Sequence, residues 1–403
     1  MSAQPEFPTL RAEVVQRVAQ LPAAEWNALD DGGHPFVRHE FLAALENTGC
    51  IGPGTGWEPC IVALRDAAGL AAAAPAWIKS HSYGEFVFDF SWAQAYARVG
   101  RPYYPKLVVA APFTPATGPR LLVRPGLDRD VIARVLLRTL ADLATDNDIS
   151  SVHVLFPDAP GRAALEAGGW LLRRDCQFHW TNHGYGDFDA FLGTFTADKR
   201  KKAKRERRRV AEAGIAFETR LGSEIAPRDL ARAWDLHRDT FLRHGHEPYL
   251  TRDFFDEACR TLGDALMFKL ARQGGKIVAT AIFFVGRDTL YGRYWGAGAD
   301  FHSLHFETCY HQGIEFCIER GLRRFEPGTQ GEHKISRGFE PTLTWSGHHI
   351  ADARFRAAIG DYLRREAASV DDYAALVQAH VPYRDRRGAV TDPDRGGPAD
   401  PES

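Results

Sequence analysis

The chain has 403 residues, more than one hydrophobic core normally serves, so two domains are expected. Its 50 Lys and Arg against 52 Asp and Glu leave a net charge of -2, which excludes a global pull toward nucleic acid or anionic membrane; any such pull must be local. Hydrophobic residues make up 44% and charged residues 25%, as in a globular chain. The longest apolar stretch, residues 70–78, falls short of the ~18 residues of a membrane span, so no integral span is expected. Residues 1–11 are polar and broken by proline, with no charged-then-apolar leader. Six scattered cysteines (Cys50, Cys60, Cys176, Cys259, Cys309, Cys317) form no Cys-x-x-Cys, which reads as buried thiols in a reducing compartment, the cytoplasm.

The first elements in the chain recur later in it. Glu25-Trp26-Asn27-Ala28-Leu29, then Pro35-Phe36-Val37-Arg38-His39-Glu40-Phe41-Leu42, return about 210 residues on as Ala233-Trp234-Asp235-Leu236, then Pro248-Tyr249-Leu250-Thr251-Arg252-Asp253-Phe254-Phe255. Each copy is a Trp-bearing helix, a Pro-aromatic-aliphatic turn and an acidic-Phe helix start. Ile61-Val62-Ala63-Leu64-Arg65 and Gly69-Leu70-Ala71-Ala72-Ala73-Ala74 then parallel Phe268-Lys269-Leu270-Ala271-Arg272 and Lys276-Ile277-Val278-Ala279-Thr280-Ala281, a hairpin in both. Any two hairpins look alike, but four elements agreeing in order at a near-constant offset point to duplication.

The remainder of each half fits. A helix over 128–144 precedes strands over 151–156 and 170–180. A helix over 305–320, with Phe306, Tyr310, Gly313, Ile314 and Cys317 on its apolar face, precedes strands over 323–326 and 342–350. The expected fold is α/β of the α+β kind: two tandem lobes with mixed, largely antiparallel sheets, at residues 1–190 and 191–385, and a disordered Pro/Gly/charge-rich tail over 386–403.

Between the lobes lies Asp198-Lys199-Arg200-Lys201-Lys202-Ala203-Lys204-Arg205-Glu206-Arg207-Arg208-Arg209-Val210, a basic helix over 198–213 that Asp198 can cap and Ala213-Gly214 can end. Read as positive all round, it is not mostly buried. It is either a solvated connector or a seat, through Lys201, Lys202 and Arg205, for an anionic ligand: a coenzyme A pyrophosphate, a nucleotide-linked precursor, tRNA or an anionic membrane. A nuclear signal is a third reading with no other support in the chain.

Three further segments carry chemistry. In 290–307, Gly296 and Gly298 permit close backbone approach of a ligand, Arg293 lies on the strand, and His305 and Glu307 fall in the first turn of a helix that Ser303 can cap; the plain alternative is a bulge and an ordinary cap. His302, His305 and Cys309 have partial metal-ligand spacing, but lack a clear second cluster beyond His348-His349, so no metal is expected. The loop 325–341 gathers Glu332, His333, Lys334 and Arg337 after a short strand, which suits a site or a solvated loop. In the first half, aromatic residues beside Glu85, Asp89 and Lys106 suit either a substrate cleft or interlobe packing.

Taken together, the tandem lobes, the basic helix before the second, Trp295-Gly296-x-Gly298-x-Asp300 at a strand end, the helix after it and Lys334-x-x-Arg337-Gly338-Phe339 resemble the FemAB-like branch of the GNAT N-acyltransferase superfamily. The resemblance extends over most of residues 30–350. It implies two GNAT-like lobes and transfer of an acyl or aminoacyl group from an activated donor to an amine, possibly on a small molecule or cell-wall precursor. Acyl-CoA is the favoured co-substrate, with no tightly bound cofactor. Aminoacyl-tRNA is the alternative donor, less favoured because 199–213 leaves room for one short helix only.

Amine acylation needs a proton acceptor, an oxyanion site and alignment of two substrates. Glu307, His305 and Glu332 are the candidate bases, Gly296 and Gly298 the candidate oxyanion backbone, and Arg293, Lys334 and Arg337 the candidate anion contacts. The rival from another class is a non-catalytic protein that uses 199–209 to hold an anionic polymer or membrane.

Overall fold

The computed structural model describes residues 9–30, 33–298, 303–329 and 331–384; the tail expected over 386–403 and His302 lie outside the described residues. The chain forms two compact units. Unit 1 is Met1–Arg173 with Trp345–Arg365, and unit 2 is Arg174–Thr344 with Glu366–Ser403. The boundary read from the repeat, 190/191, is drawn elsewhere: the units divide at Arg173/Arg174, and a later stretch is counted with the first.

Unit 1 contains β1 (Arg11–Val15), β2 (Trp57–Pro59), β3 (Ile61–Asp66), β4 (Gly69–Ala74), β5 (Ala76–Lys79), β6 (Lys106–Val109), β7 (Leu122–Val123) and β8 (Ser151–Leu155). One sheet runs β1-β3-β4-β7. A second runs β2-β5-β6-β8 and continues to Ser346–Ile350, with β6 and β8 parallel and the other pairs antiparallel. The helix Arg129–Asp146 starts where Asp128 accepts the amides of Asp130 and Val131, and its Leu136 and Leu140 pack on Val62, Leu64, Ala74, Leu107 and Val152.

Unit 2 gathers its strands in one sheet. β9 (Leu171–Thr181) contributes its last residues, and β10 (Ile215–Leu221), β11 (Leu266–Gln273), β12 (Lys276–Val285), β13 (Thr289–Ala297) and β14 (Arg324–Glu326) form a sheet in the order β10-β11-β12-β13-β14-β9; β15 (Glu340–Ile350) follows in the chain. Only β13–β14 is parallel. Its core gathers Phe283, Ile314, Cys317, Phe325 and Phe339. A Cβ on Gly313 would meet the Phe325 ring at 2.5 Å, so glycine there lets helix and strand close up.

The repeat extends to an irregularity. The β3–β4 hairpin shifts register between Leu64 and Arg65, and the β11–β12 hairpin shifts between Ala271 and Arg272, the aligned positions. The helix expected over 305–320 is divided: Leu304–Phe306 is α-helical, Glu307–His311 is a π-helical segment, and Gln312–Arg320 is α-helical again. The helix Ala353–Gln378 was not foreseen from the sequence. Among the described residues, no helix is long and apolar enough to cross a membrane.

Candidate active site

β13 and β14 run side by side over only three pairs, Thr289↔Arg324, Leu290↔Phe325 and Tyr291↔Glu326; β14 then ends while β13 continues to Ala297. Against β12, the pairing passes from Phe283↔Gly292 to Ile282↔Tyr294, so Arg293 is the bulged residue where the two parallel strands part. A bulge re-aims its side chain, and here it brings Arg293 to the turn after β14: a Cβ on Gly328 would lie 3.8 Å from Arg293 Nη1. From the other side, Lys334 on the 3-10 helix Glu332–Arg337 donates to the Gly328 carbonyl at 2.5 Å. Lys334 is buried, and among the described residues no carboxylate pairs with it. Burial, reinforced by the charge of Arg293, pushes its ammonium down to about 7.

Beside these two cations stands an aromatic wall. His305 faces Trp295 of β13, with ring centroids 5.2 Å apart, and Tyr310 at 5.4 Å. Burial holds its imidazole at about 4, so it is neutral at pH 7. Tyr310 Oη and His333 Nε2 are 2.8 Å apart, and Phe306 carries the Arg337 guanidinium on its face at 3.4 Å.

The π segment turns Glu307 and His311 inward. Glu307 Oε1 accepts from Gln312 Nε2 (2.8 Å) and Arg207 Nε (3.2 Å), and Oε2 lies 3.2 Å from His311 Nδ1. Burial pushes this carboxyl up, but the bond to His311 and the charge of Arg207 outweigh it and hold it below its usual range. His311 Nε2 is 3.9 Å from Glu206 Oε2, and Glu206 Oε1 accepts from Arg337 Nη2 at 2.8 Å. Glu307, His311, Glu206 and Arg337 therefore form one buried chain of polar side chains, ending on the same 3-10 helix that carries Lys334.

Two of the partners, Glu206 and Arg207, come from the basic helix Ala197–Glu212, which corrects its reading as charged all round. Ala203, Glu206 and Val210 are buried, and Arg207 is half-buried between Glu307 and Glu315: spacing i, i+3, i+4, i+7, a single inward face. Asp198 sits in the first turn with Thr196 at the cap position. Lys201, Lys202 and Arg205 face outward, and among the described residues none of them has an ion-pair partner.

Other expected site residues are placed differently. Glu332 is exposed and accepts from Tyr373 at 3.0 Å. Gly296 and Gly298 need correction as ligand-facing backbone. A Cβ on Gly296 would stand 2.3 Å from the Leu236 carbonyl carbon and 2.4 Å from the His237 amide nitrogen, so the close approach is that of helix Pro227–Arg243. The Gly298 amide is committed to the Val278 carbonyl at 2.9 Å. Arg337 is neutralised by Glu206 and so is not an open anion contact. In unit 1, Lys106 and Asp89 are paired with each other and buried. His311 was not singled out from sequence, and Glu206, Arg207 and Tyr310 were read only as parts of the basic helix and of an apolar face, although Glu307 and His311 at i, i+4 are a legible pair.

In each unit a parallel strand pair, β6–β8 in the first and β13–β14 in the second, has a helix between its strands in the chain. Among solved structures, FemX aligns at 10% identity over 87% of this chain and all of its own, with a TM-score of 0.53. The C-terminal domain (DUF2156) of a putative lysylphosphatidylglycerol synthetase from Agrobacterium fabrum aligns at 12% identity over 84% of this chain and 95% of that one, with a TM-score of 0.50. No curated protein matches the sequence. The FemAB-like family model, described as peptidoglycan biosynthesis/recognition, matches residues 17–385, and the chain belongs to that family.

Proposed function

We propose that the protein transfers an acyl or aminoacyl group from an activated donor to an amine, with the reacting carbonyl seated where β13 leaves β14. The observation that carries the reading is the parting of these strands at bulged Arg293, with Lys334 beside it and, among the described residues, no carboxylate pairing Lys334. Two cations there favour negative charge developing on a carbonyl oxygen or carried by a donor phosphate. His305, neutral and close to Trp295, is the proton acceptor for the attacking amine, whereas Glu307 is held among His311, Arg207 and Gln312 and sets the position of the π segment. The donor is acyl-CoA, the acceptor a small-molecule or cell-wall-precursor amine, and the compartment the cytoplasm, in keeping with six free thiols.

A second reading has its own observation. Lys201, Lys202 and Arg205 face outward with no ion-pair partner among the described residues, which suits the phosphates of an aminoacyl-tRNA or an anionic surface. Release of free thiol from acyl-CoA, dependent on an added amine, tests the first reading, with charged tRNA as the competing donor. Lys334→Met and His305→Gln should each remove most turnover, and activity should fall as pH rises through about 7 and Lys334 loses its proton. No transfer from either donor, with anionic ligand still bound, would favour the non-catalytic alternative.

A further inference from the structure

The sheet of unit 2 ends on β10, which among the described residues pairs with β11 and with no other strand. Gly222 donates to the Leu266 carbonyl at 2.7 Å, which fixes the alternation of the ladder. With Leu221 opposite Met267 in the next pair, Ala216, Glu218 and Arg220 turn their backbone groups to β11, whereas Phe217, Thr219 and Leu221 turn theirs away from it. Leu221 is closed off: its carbonyl accepts the amides of Glu224 and Ile225, and its own amide donates to Glu224 Oε2 at 3.3 Å. Among the described residues nothing bonds to the outward N–H and C=O of Phe217 and Thr219, and both residues are partly exposed.

An open cavity of about 660 Å³ lies beside this strand, lined by Phe217, Glu218 and Arg220 of β10 and by Arg228 and Asp229 at the start of the helix Pro227–Arg243, so there is room for a further chain and its side chains. The carboxylates of the cavity are tied to its wall. Glu218 accepts from Arg220 and from Arg272 Nε (2.7 Å), Asp229 accepts from Arg272 Nη2 (2.6 Å), and Glu224 faces the Leu221 amide. The arginines reach further out: the Arg228 side chain is 88% exposed, with Asp229 no nearer than 3.8 Å, and that of Arg220 is 41% exposed. The basic helix Ala197–Glu212 leads into β10, and its Val210 shares a core cluster with Ile215. A second copy paired along β10 would therefore bring a second basic helix into the joined sheet, cation against cation, whereas an acidic chain meets complementary charge.

We infer that the outer edge of β10 is a docking site for an extended acidic peptide segment of a partner protein, which adds a strand to the sheet through the backbone of Phe217 and Thr219 and sets carboxylate side chains toward Arg220 and Arg228 in the cavity. In strand addition the main-chain bonds supply the attachment and the side chains of alternate residues supply the selectivity. Successive side chains of a strand point to opposite faces, so the chain that fits carries an acid at every second position. The inference does not depend on acyl transfer.

Fluorescence anisotropy of the full chain with a short labelled peptide of alternating glutamate and valine tests it. The parent peptide should bind saturably. Its fully N-methylated form, which keeps every charge and lacks every backbone donor, should bind about tenfold more weakly or worse, and so should the peptide with lysine in place of glutamate. Thr219→Pro removes only an outward N–H, a place where an edge strand accepts proline, and should weaken the parent peptide about fivefold. Arg228→Glu should weaken it to a similar degree, more at low salt than at high, and melt with the wild type. Equal binding of the parent and N-methylated peptides would show attraction by charge alone and overturn the inference, and that comparison needs no variant to fold. Absence of saturable binding at about 1 mM would overturn it too, as would a dimer in sedimentation velocity that Thr219→Pro dissociates, which would assign the edge to self-pairing.

Discussion

Replacing Lys334 by methionine separates what the site costs in stability from what it does. In the unfolded chain this lysine titrates at 10.5, and in the fold burial brings it to about 7. Because the folded value is the lower one, the unfolded state binds more protons between pH 7 and 10.5, and wild-type stability must rise across that window. At 1.36 kcal/mol per unit, the 3.5-unit gap (10.5 − 7) amounts to roughly 4–5 kcal/mol of destabilisation at pH 7. Methionine removes that cost but also loses the bond to the Gly328 carbonyl, worth about 1–1.5 kcal/mol. The net expectation is a gain of about 3 kcal/mol at pH 7, or several degrees in melting temperature. At pH 9 the penalty on the wild type falls to about 2 kcal/mol, so the two melting curves should draw together. Scanning calorimetry of both proteins at pH 6, 7, 8 and 9, with thiol release followed alongside, reads all of this. A variant that melts below wild type at pH 7, or a gap that does not narrow toward pH 9, would refute the assignment of Lys334 as a buried cation without a carboxylate.

Other expectations follow from the same network. Glu206→Gln leaves the buried Arg337 guanidinium without its counter-charge and should cost about 3 kcal/mol by denaturant unfolding. Gly296→Ala forces a Cβ into the backbone of Leu236 and His237 and should cost about 2–4 kcal/mol, whereas Gly193→Ala, with nothing within 4 Å, should change the midpoint little. Reversing Lys201, Lys202 and Arg205 to Glu should leave the melting temperature unchanged, weaken binding to tRNA and anionic vesicles, and reduce the salt slope by about 2–3 if all three cations meet phosphates.

The tandem plan was readable because duplication leaves paired strings, Trp26 with Trp234 and Gly69-Leu70 with Lys276-Ile277, at one offset. The inward face of the basic helix was present as Ala203, Glu206, Arg207 and Val210, but surrounding cations masked the spacing, and an arginine that pairs inward looks in sequence like one that faces water. Gly296 was recognised as a place of close approach, yet sequence cannot say whether a helix or a ligand approaches. Lys79 and Lys106 are separated by a helix and a loop, so only strand register reveals them as neighbours. The helix Ala353–Gln378 went unseen because its charged residues are spread along the whole segment, which blurs the apolar stripe.

The π segment Glu307–His311 holds one residue more than an α-helical turn of the same span. Deleting that residue, for example Thr308, would let the hydrogen-bond ladder close regularly and leave the sheet untouched. Because the π turn absorbs the extra residue, the α-helical flanks on either side would keep their faces. Phe306 would stay on the Arg337 guanidinium and His305 against Trp295, while Glu307 and His311 would come one residue closer in sequence and lose their present register. A homologue shortened by one residue at this point would thus keep the aromatic wall and show whether the inward Glu307–His311 pair depends on the π turn.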